Sequence, residues 1–490
     1  MKNKFIISRP NGLFFYGIID LVVAYMKDIL DYLNIQIFKP EFFTLQLLEA
    51  SRSGDQVFEN EVNKINNLSC ARKVYFKIRD IFSEYWELFE LGNPGKIRPS
   101  VKENVEAMIR CKDLSNGYLA YECPNCHKMH FQGLSCNSRF CSSCGNRYRE
   151  ERAISISQKC LNKPHRHFVF SIAWELRPYF VHPLDRDALL DILFNAVEFA
   201  FEALAQDTKK GKKENRQFGY ILFLHTYGRA INWIPHIHCL ICEGYMNNKN
   251  EFKKRSHFPY VKLKKTFMFH LNNTIRAYFK KNKSEKEYKD IVSLTKSLEK
   301  KHTEGYYAYG PKLDSKCDTR ISTKKLTEYV ARYASHPAIA ESRITGFDKL
   351  NHTVSYYYDP HEDDLLDEND PNRLGRQYIT ESVFKFMKKL CRHIPNKGFH
   401  NVRFYGFYSN RDTHDKSKYQ SLYTANQIKK MKSNIHWNKK MKLTYNYEPL
   451  LCSCGKRMEL CYELSFFPNT RGHPRQLSIF DYDEEGNLYA

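Results

Sequence analysis

The stretch "CPNCHKMHFQGLSCNSRFCSSC" constrains this 490-residue chain more than any other. Cys123 and Cys126 form one CxxC pair, and Cys141 and Cys144 form a second. Fifteen cysteines scattered at random over this length would give about half a CxxC in all. A CxxC turn presents two thiolates on one side, and two such turns can close a tetrahedron around Zn²⁺. Four thiolates leave no open position, so a structural zinc is expected on Cys123, Cys126, Cys141 and Cys144. Cys136 is a possible additional ligand, and Cys111, His127 and His130 are further candidates. Clustered cysteines in a large chain with no secretory signal point to metal binding in a reducing cytosol, not to disulfides. A cytoplasmic protein is the expectation.

Charge narrows the partner. Lys plus Arg total 77 against 55 Asp plus Glu, for a net +22. A surplus of this size favours a polyanion, most often nucleic acid. Arg139, Arg147, Arg149 and Arg152 crowd the cysteine cluster, so this module is expected to touch DNA. The run "KLKKTFMFHLNNTIRAYFKKNK" interleaves cations with rings, as phosphates and unpaired bases require. An ordinary helix with a solvated face would read the same way. The apolar run "GLFFYGIIDLVVAYM" is broken by Asp20 and falls short of the roughly 18 residues that mark a membrane span. It reads as a buried helix, and no membrane partner is expected.

Along the chain, residues 1–75 read as helical and carry no motif. Residues 76–155 read as two amphipathic helices, split by "GNPG", followed by the zinc module. From about Lys163 the pattern changes. "HRHFVFSIAW" is strand-like, and "LDRDALLDILFNAVEFAFEALAQDTKK" has helical spacing. "FGYILFLHTYG" and "PHIHCLICEG" are two more strands, close enough for an antiparallel hairpin. A core at 160–345 follows, with a helical insertion at about 246–320. Residues 346–450 form a C-terminal part expected to bind DNA, and 451–490 a short Cys-containing tail. The fold class is α+β, a largely antiparallel sheet with helices.

The chain holds two HxH triplets, and they differ in the middle residue. In His165-Arg166-His167 it is charged; in His236-Ile237-His238 it is apolar. Alternate side chains share a face of a strand, so Ile237 can enter a core while both imidazoles face outward. Such a pair suits a metal at a sheet surface, and equally two polar residues facing solvent. A third ligand would be His225 on the preceding strand, with Glu243 and Glu328 as alternatives. Imidazole ligands suit Mn²⁺ better than the harder Mg²⁺. Further on, "LTEYVARYASHP" sets Tyr329 and Tyr333 on one helix face. Spacing alone favours core packing over chemistry, and Tyr419 and Tyr423 repeat it. A phenol is a weak nucleophile near neutrality, with a pKa of about 10. A metal that polarises a phosphate offsets this, and attack would leave a phosphotyrosine.

The order of these features resembles the rolling-circle insertion-sequence transposases of the HUH superfamily (the IS-ninety-one-like family). The resemblance rests on the cysteine text, "HRHFVFSIAWELRPYF", "LHTYGRAINWIPHIHCLICEG", "YVARYASHPAIAESRI" and "IPNKGFHNVRFYGFYSNRD", and spans about Ile78 to Met458. It implies an HUH endonuclease core with a ferredoxin-like antiparallel sheet, a zinc-ribbon-like module and helical flanks. It also implies cleavage of single-stranded or hairpin DNA at element ends, in a bacterial, nucleoid-associated protein. His236 and His238, with His225, become the Mg²⁺ or Mn²⁺ ligands, and Tyr329 and Tyr333 the nucleophiles. Arg332 and Arg403 join the DNA-binding arginines. Two departures stand out: "ASHP" follows the tyrosines, and "LLCSCGK" sets Cys452 and Cys454 one apart where a CxxC is expected. No GxxxxGK[ST] loop is present, so unwinding would fall to host replication or helicase proteins. A plasmid replication initiator or relaxase would share the chemistry. A non-catalytic zinc-ribbon DNA-binding regulator would not.

Overall fold

The computed structural model describes residues 76–309, 338–360, 375–409, 448 and 450–466. All of them belong to the unit Tyr75–Ala490. The expected N-terminal helices, Glu328, Tyr329, Arg332 and Tyr333 lie outside the described residues.

Helices α1 (Ile78–Leu91) and α2 (Pro99–Ile109) come first. Pro99 opens α2 at its first turn, where a missing N–H costs nothing. A hairpin follows, β1 (Tyr118–Glu122) and β2 (Met129–Gly133), and then α3 (Ser142–Lys159). Strand β3 (His165–Ser171) begins the central sheet and α4 (Arg186–Ala205) crosses over it. Leu189, Leu193, Val197, Phe201 and Leu204 recur at helical spacing along α4 and are all buried. Then come β4 (Gln217–Tyr227), β5 (Trp233–Met246) and β6 (Phe252–Lys254). Helices α5 (Tyr260–Asn282) and α6 (Glu285–Lys301) follow, the second opened by a Ser284/Glu287 capping box. The short β7 (Ala308–Tyr309) closes this region.

The central sheet has six strands, in the order β11-β4-β5-β3-β7 with β6 beside β5, where β11 is Val402–Gly406. Every pairing in it is antiparallel. Taken alone, β3, α4, β4, β5, α5–α6 and β7 follow the β-α-β-β-α-β order of a ferredoxin-like sheet. The chain is α+β, as its patterning implies.

Both faces of this sheet are covered. On one, Phe168 and Phe170 of β3, Leu222 of β4, and Ile237, Cys239 and Ile241 of β5 pack against α4 and α5. Each fully buried Phe there is worth roughly 1.5–3 kcal/mol over exposure. The helical insertion expected at 246–320 is not an appendage. Leu263, Phe267, Leu271 and Ile275 of α5 are buried in this same core, so α5 completes the helix layer. On the other face, Ile221, Phe223, Leu240 and Cys242 meet Ala153 and Ile156 of α3 and Phe407 and Tyr408 beyond β11.

A second core joins distant segments. Strands β8 (Ile344–Asp348), β9 (Thr353–Tyr358) and β10 (Gln377–Ser382) form a separate antiparallel sheet followed by α7 (Val383–Arg392). Phe82, Val105 and Met108 of α1 and α2 pack with Tyr356, Phe386 and Leu390 in one cluster. A third sheet has the order β12-β1-β2, with β12 (Glu459–Phe466) from near the chain's end. Among the described residues, no helix is long and apolar enough to cross a membrane.

Candidate metal centres and active site

Register brings three histidines together. His225 of β4 pairs directly with His236 of β5, and Val169 of β3 sits opposite His238. Ile237, between the two histidines, is fully buried on the helix-covered face. The imidazoles therefore lie on the opposite face, as alternation requires. One ligand nitrogen from each of His225, His236 and His238 falls within 4.8 Å of the others. The two Nε2 atoms of His236 and His238 are 3.1 Å apart. That is about the edge between two ligands roughly 2.1 Å from a shared ion.

Hydrogen bonding selects the ligand atoms. His236 Nδ1 lies 2.8 Å from the Ile234 carbonyl oxygen, which can only accept. Nδ1 therefore carries the proton, and Nε2 presents its lone pair. His238 Nδ1 lies 2.9 Å from Nε2 of His167. With His238 Nδ1 donating there, its own Nε2 presents its lone pair toward His236, the usual arrangement around a bound metal. His167 was not singled out as a site residue in the sequence; a diagonal cross-strand position gives it this contact. Burial pushes His236 and His238 below the ordinary histidine range, and His167 to about 4. Neutral rings at physiological pH are what a metal needs. Arg177 lies close enough for its charge to lower His236 further. Its Nε is buried with no hydrogen-bond partner among the described residues.

The set fits a divalent ion, and its chemistry leans toward Mn²⁺: three imidazoles, with no carboxylate grouped with them among the described residues. Glu243, an alternative ligand by sequence, does not join the histidine group and is held in a buried ion pair. Its Oε1 accepts from Arg166 Nε at 2.9 Å and from Arg166 Nη2 at 2.6 Å.

The cysteines do not form the single tetrahedron expected of them. Cys141 and Cys144 group with Cys111 and Cys136, whereas Cys123 and Cys126 group with Cys452 and Cys454. The two CxxC turns part because they sit on different elements. Cys141 is the N-cap of α3 and Cys144 lies in its first turn, where the helix dipole favours thiolates. Cys111 follows α2 and comes within 3.6 Å of Cys144, and Cys136 within 3.7 Å. A zinc tetrahedron with Zn–S of about 2.3 Å has S–S edges of about 3.8 Å. The spare ligands Cys136 and Cys111 thus complete the helix-bound pair, while His127 turns to Glu122 at 2.7 Å. The sequence leaves a role for Cys452 and Cys454 in metal binding open, because their spacing departs from CxxC.

The arginines expected from sequence to bind DNA differ in what holds them. Arg147 donates to Asn137 Oδ1 at 2.7 Å and to Ser135 Oγ at 3.3 Å, bracing the loop that carries Cys136. Arg139 lies over the Tyr148 ring at 5.0 Å, and Arg149 is half-buried on α3. Arg403 pairs with Asp191 and stacks 3.9 Å above Phe194, a structural use of its guanidinium.

Comparison with known proteins agrees with this layout. Residues 81–172 match the family described as the transposase zinc-binding domain, and residues 219–416 the family described as "Putative transposase". The chain is similar to the transposase for insertion sequence element IS801 of Pseudomonas savastanoi pv. phaseolicola. The two are 24% identical over 398 residues, 78% of this chain and 88% of the relative. It is also similar to the putative transposase y4qJ of Sinorhizobium fredii (strain NBRC 101917 / NGR234), 21% identical over 343 residues, 68% of this chain and 81% of the relative. No solved structure matches.

Proposed function

We propose that the chain is an insertion-sequence transposase that joins a zinc-binding domain to a transposase core, and that it nicks and rejoins single-stranded DNA at element ends through a tyrosine nucleophile. The observation that carries this reading is the cluster of imidazoles from His225, His236 and His238. A divalent cation held there supplies a Lewis acid toward a phosphate oxygen. The chain's own groups do the rest. Tyr329 or Tyr333 loses its phenolic proton to solvent and attacks the scissile phosphorus. The new O–P bond forms as the bond to the 3′ oxygen breaks, and that oxygen takes up a proton. Arg177 meets the phosphate charge from beside His236. In the reverse step, a 3′-hydroxyl of another strand attacks the 5′-phosphotyrosine and the phenol leaves. With two tyrosines, one strand can be held while a second is cut. The +22 charge provides the long-range attraction to DNA.

The test mixes the full chain with Mn²⁺ or Mg²⁺ and labelled single strands from both flanks of its gene, followed by denaturing gels. A covalent protein–DNA adduct is expected in Mn²⁺. His236→Ala should lower it by at least about 100-fold. Tyr329→Phe, Tyr333→Phe or both should abolish it on one of the strands. DNA binding with no adduct in either metal would instead describe a non-catalytic zinc-dependent DNA-binding protein.

A further inference from the structure

The sheet β12-β1-β2 combines a hairpin near the start of the described residues with a strand near their end. Glu122 pairs with Glu459, Tyr121 with Leu460, and Ala120 with Cys461. Each partner carries a cysteine turn at the same end of the sheet. Cys123 follows β1 directly, and Cys452 and Cys454 precede β12.

The two turns are variants of one design. In the first, Cys123 N–H donates to Lys128 O at 3.0 Å and His127 N–H to Cys123 O at 2.9 Å. In the second, Cys452 N–H donates to Lys456 O and Gly455 N–H to Cys452 O, both at 2.9 Å. In both, the residue directly after the second cysteine takes a positive φ: 55° at His127 and 81° at Gly455. The second turn is the first with one residue removed, so a CxC does what a CxxC does.

The four sulfurs converge. Cys123 Sγ is 3.4 Å from Cys454 Sγ, and Cys126 Sγ is 3.5 Å from Cys452 Sγ. All four lie within 4.8 Å of one another. This is near the edge of a zinc–thiolate tetrahedron, about 3.8 Å, and far from a disulfide bond of about 2.05 Å. Four neutral thiols offer one another only weak S–H bonds. The rest of the module does not compensate. Among the described residues its core is five buried residues (Tyr121, Cys123, Leu450, Cys452 and Met458) with Leu119 and Leu460 packed against them, too few to hold three short strands unaided.

We propose that Cys123, Cys126, Cys452 and Cys454 bind a second structural Zn²⁺, so that the two ends of the described chain form one split zinc ribbon. The site lies apart from the helix-bound set Cys111, Cys136, Cys141 and Cys144. Cys452 and Cys454 fall outside both matched family regions. The ion clamps residues 326 apart in sequence, and the segment 450–466 is part of the zinc module rather than a tail. This inference does not depend on the nicking chemistry.

Cys126 and Cys454 make it testable in the wild-type chain, because both are exposed to solvent. Reduced, zinc-loaded protein is treated with an alkylating reagent, and each cysteine is followed by peptide mass spectrometry. Coordination should slow Cys126 and Cys454 by about 10-fold or more, and a chelator without reductant should restore their reactivity. Zinc content should fall by about one ion per chain in Cys454→Ser, with Cys144 still protected from alkylation. Free-thiol rates at Cys126 and Cys454 in the zinc-loaded protein would overturn the proposal. So would protection that yields to reductant but not to chelator, which is the behaviour of a disulfide.

Discussion

At the scale of single residues, the imidazole cluster depends on a histidine that the triplet pattern undervalues. His167 belongs to the less promising HxH, yet its Nε2 is the group that orients His238. Metal ligands lose roughly 10–100-fold in affinity when such a support is removed. His167→Ala is expected to weaken Mn²⁺ binding in that range, read by the Mn²⁺ electron paramagnetic resonance signal. His167→Gln, which keeps an acceptor within reach, should recover much of it. Equal affinity in the Ala variant would remove His167 from the site. The pair His236 and His238 was legible because alternation on a strand is a local property. His167 was not, because its role comes from the register of β3 on β5, which no run of sequence states. The cysteines divide in the same way. CxxC pairs are visible one at a time, but which pair meets which is decided by elements far apart in the chain.

At the scale of elements, the β4–β5 hairpin was readable: two strand-like runs, a short connection and apolar alternation imply it. Strand β11 was visible only as text, and its docking depends on a glycine contact. Gly406 pairs with Gly219 of β4 and has φ +55°. A Cβ on Gly406 would lie 1.6 Å from the Phe218 carbonyl oxygen, and one on Gly219 would lie 2.2 Å from the Phe407 ring. Backbone cannot move aside as a flexible side chain can. Gly406→Ala should therefore destabilise the chain by at least about 1–3 kcal/mol, combining overpacking with an unfavourable φ. A lowered urea midpoint would register it, and an unchanged midpoint would contradict the close approach. The helix layer shows the opposite limit of sequence reading. The lysine-rich surface of α5 made the stretch look like an addition, while the residues at helical spacing beneath it fill the main core.

At the scale of the whole molecule, buried histidines set a lower pH limit for stability. Burial pushes His165 to about 4 and His393 to about 3. Both titrate near 6.5 in an unfolded chain. Between those values the unfolded state binds protons that the folded state refuses. Stability is thus complete above about 6.5 and is lost as pH falls, by up to about 1.4 kcal/mol per group per pH unit. The urea midpoint should drop between pH 7 and pH 5, and His393→Gln should make that drop shallower. A midpoint that stays level over this interval would contradict the assignment. The pairing of β1 with β12 has a different consequence, one of timing. Ala120 donates its N–H to Ser465 Oγ across 345 residues. Ribosomes add roughly 5–20 residues per second, so the β1–β2 hairpin waits roughly 20–70 seconds for its third strand. Throughout that interval the nascent chain carries an open sheet edge and an incomplete cysteine set. A message cut short anywhere before Cys452 would leave them so permanently.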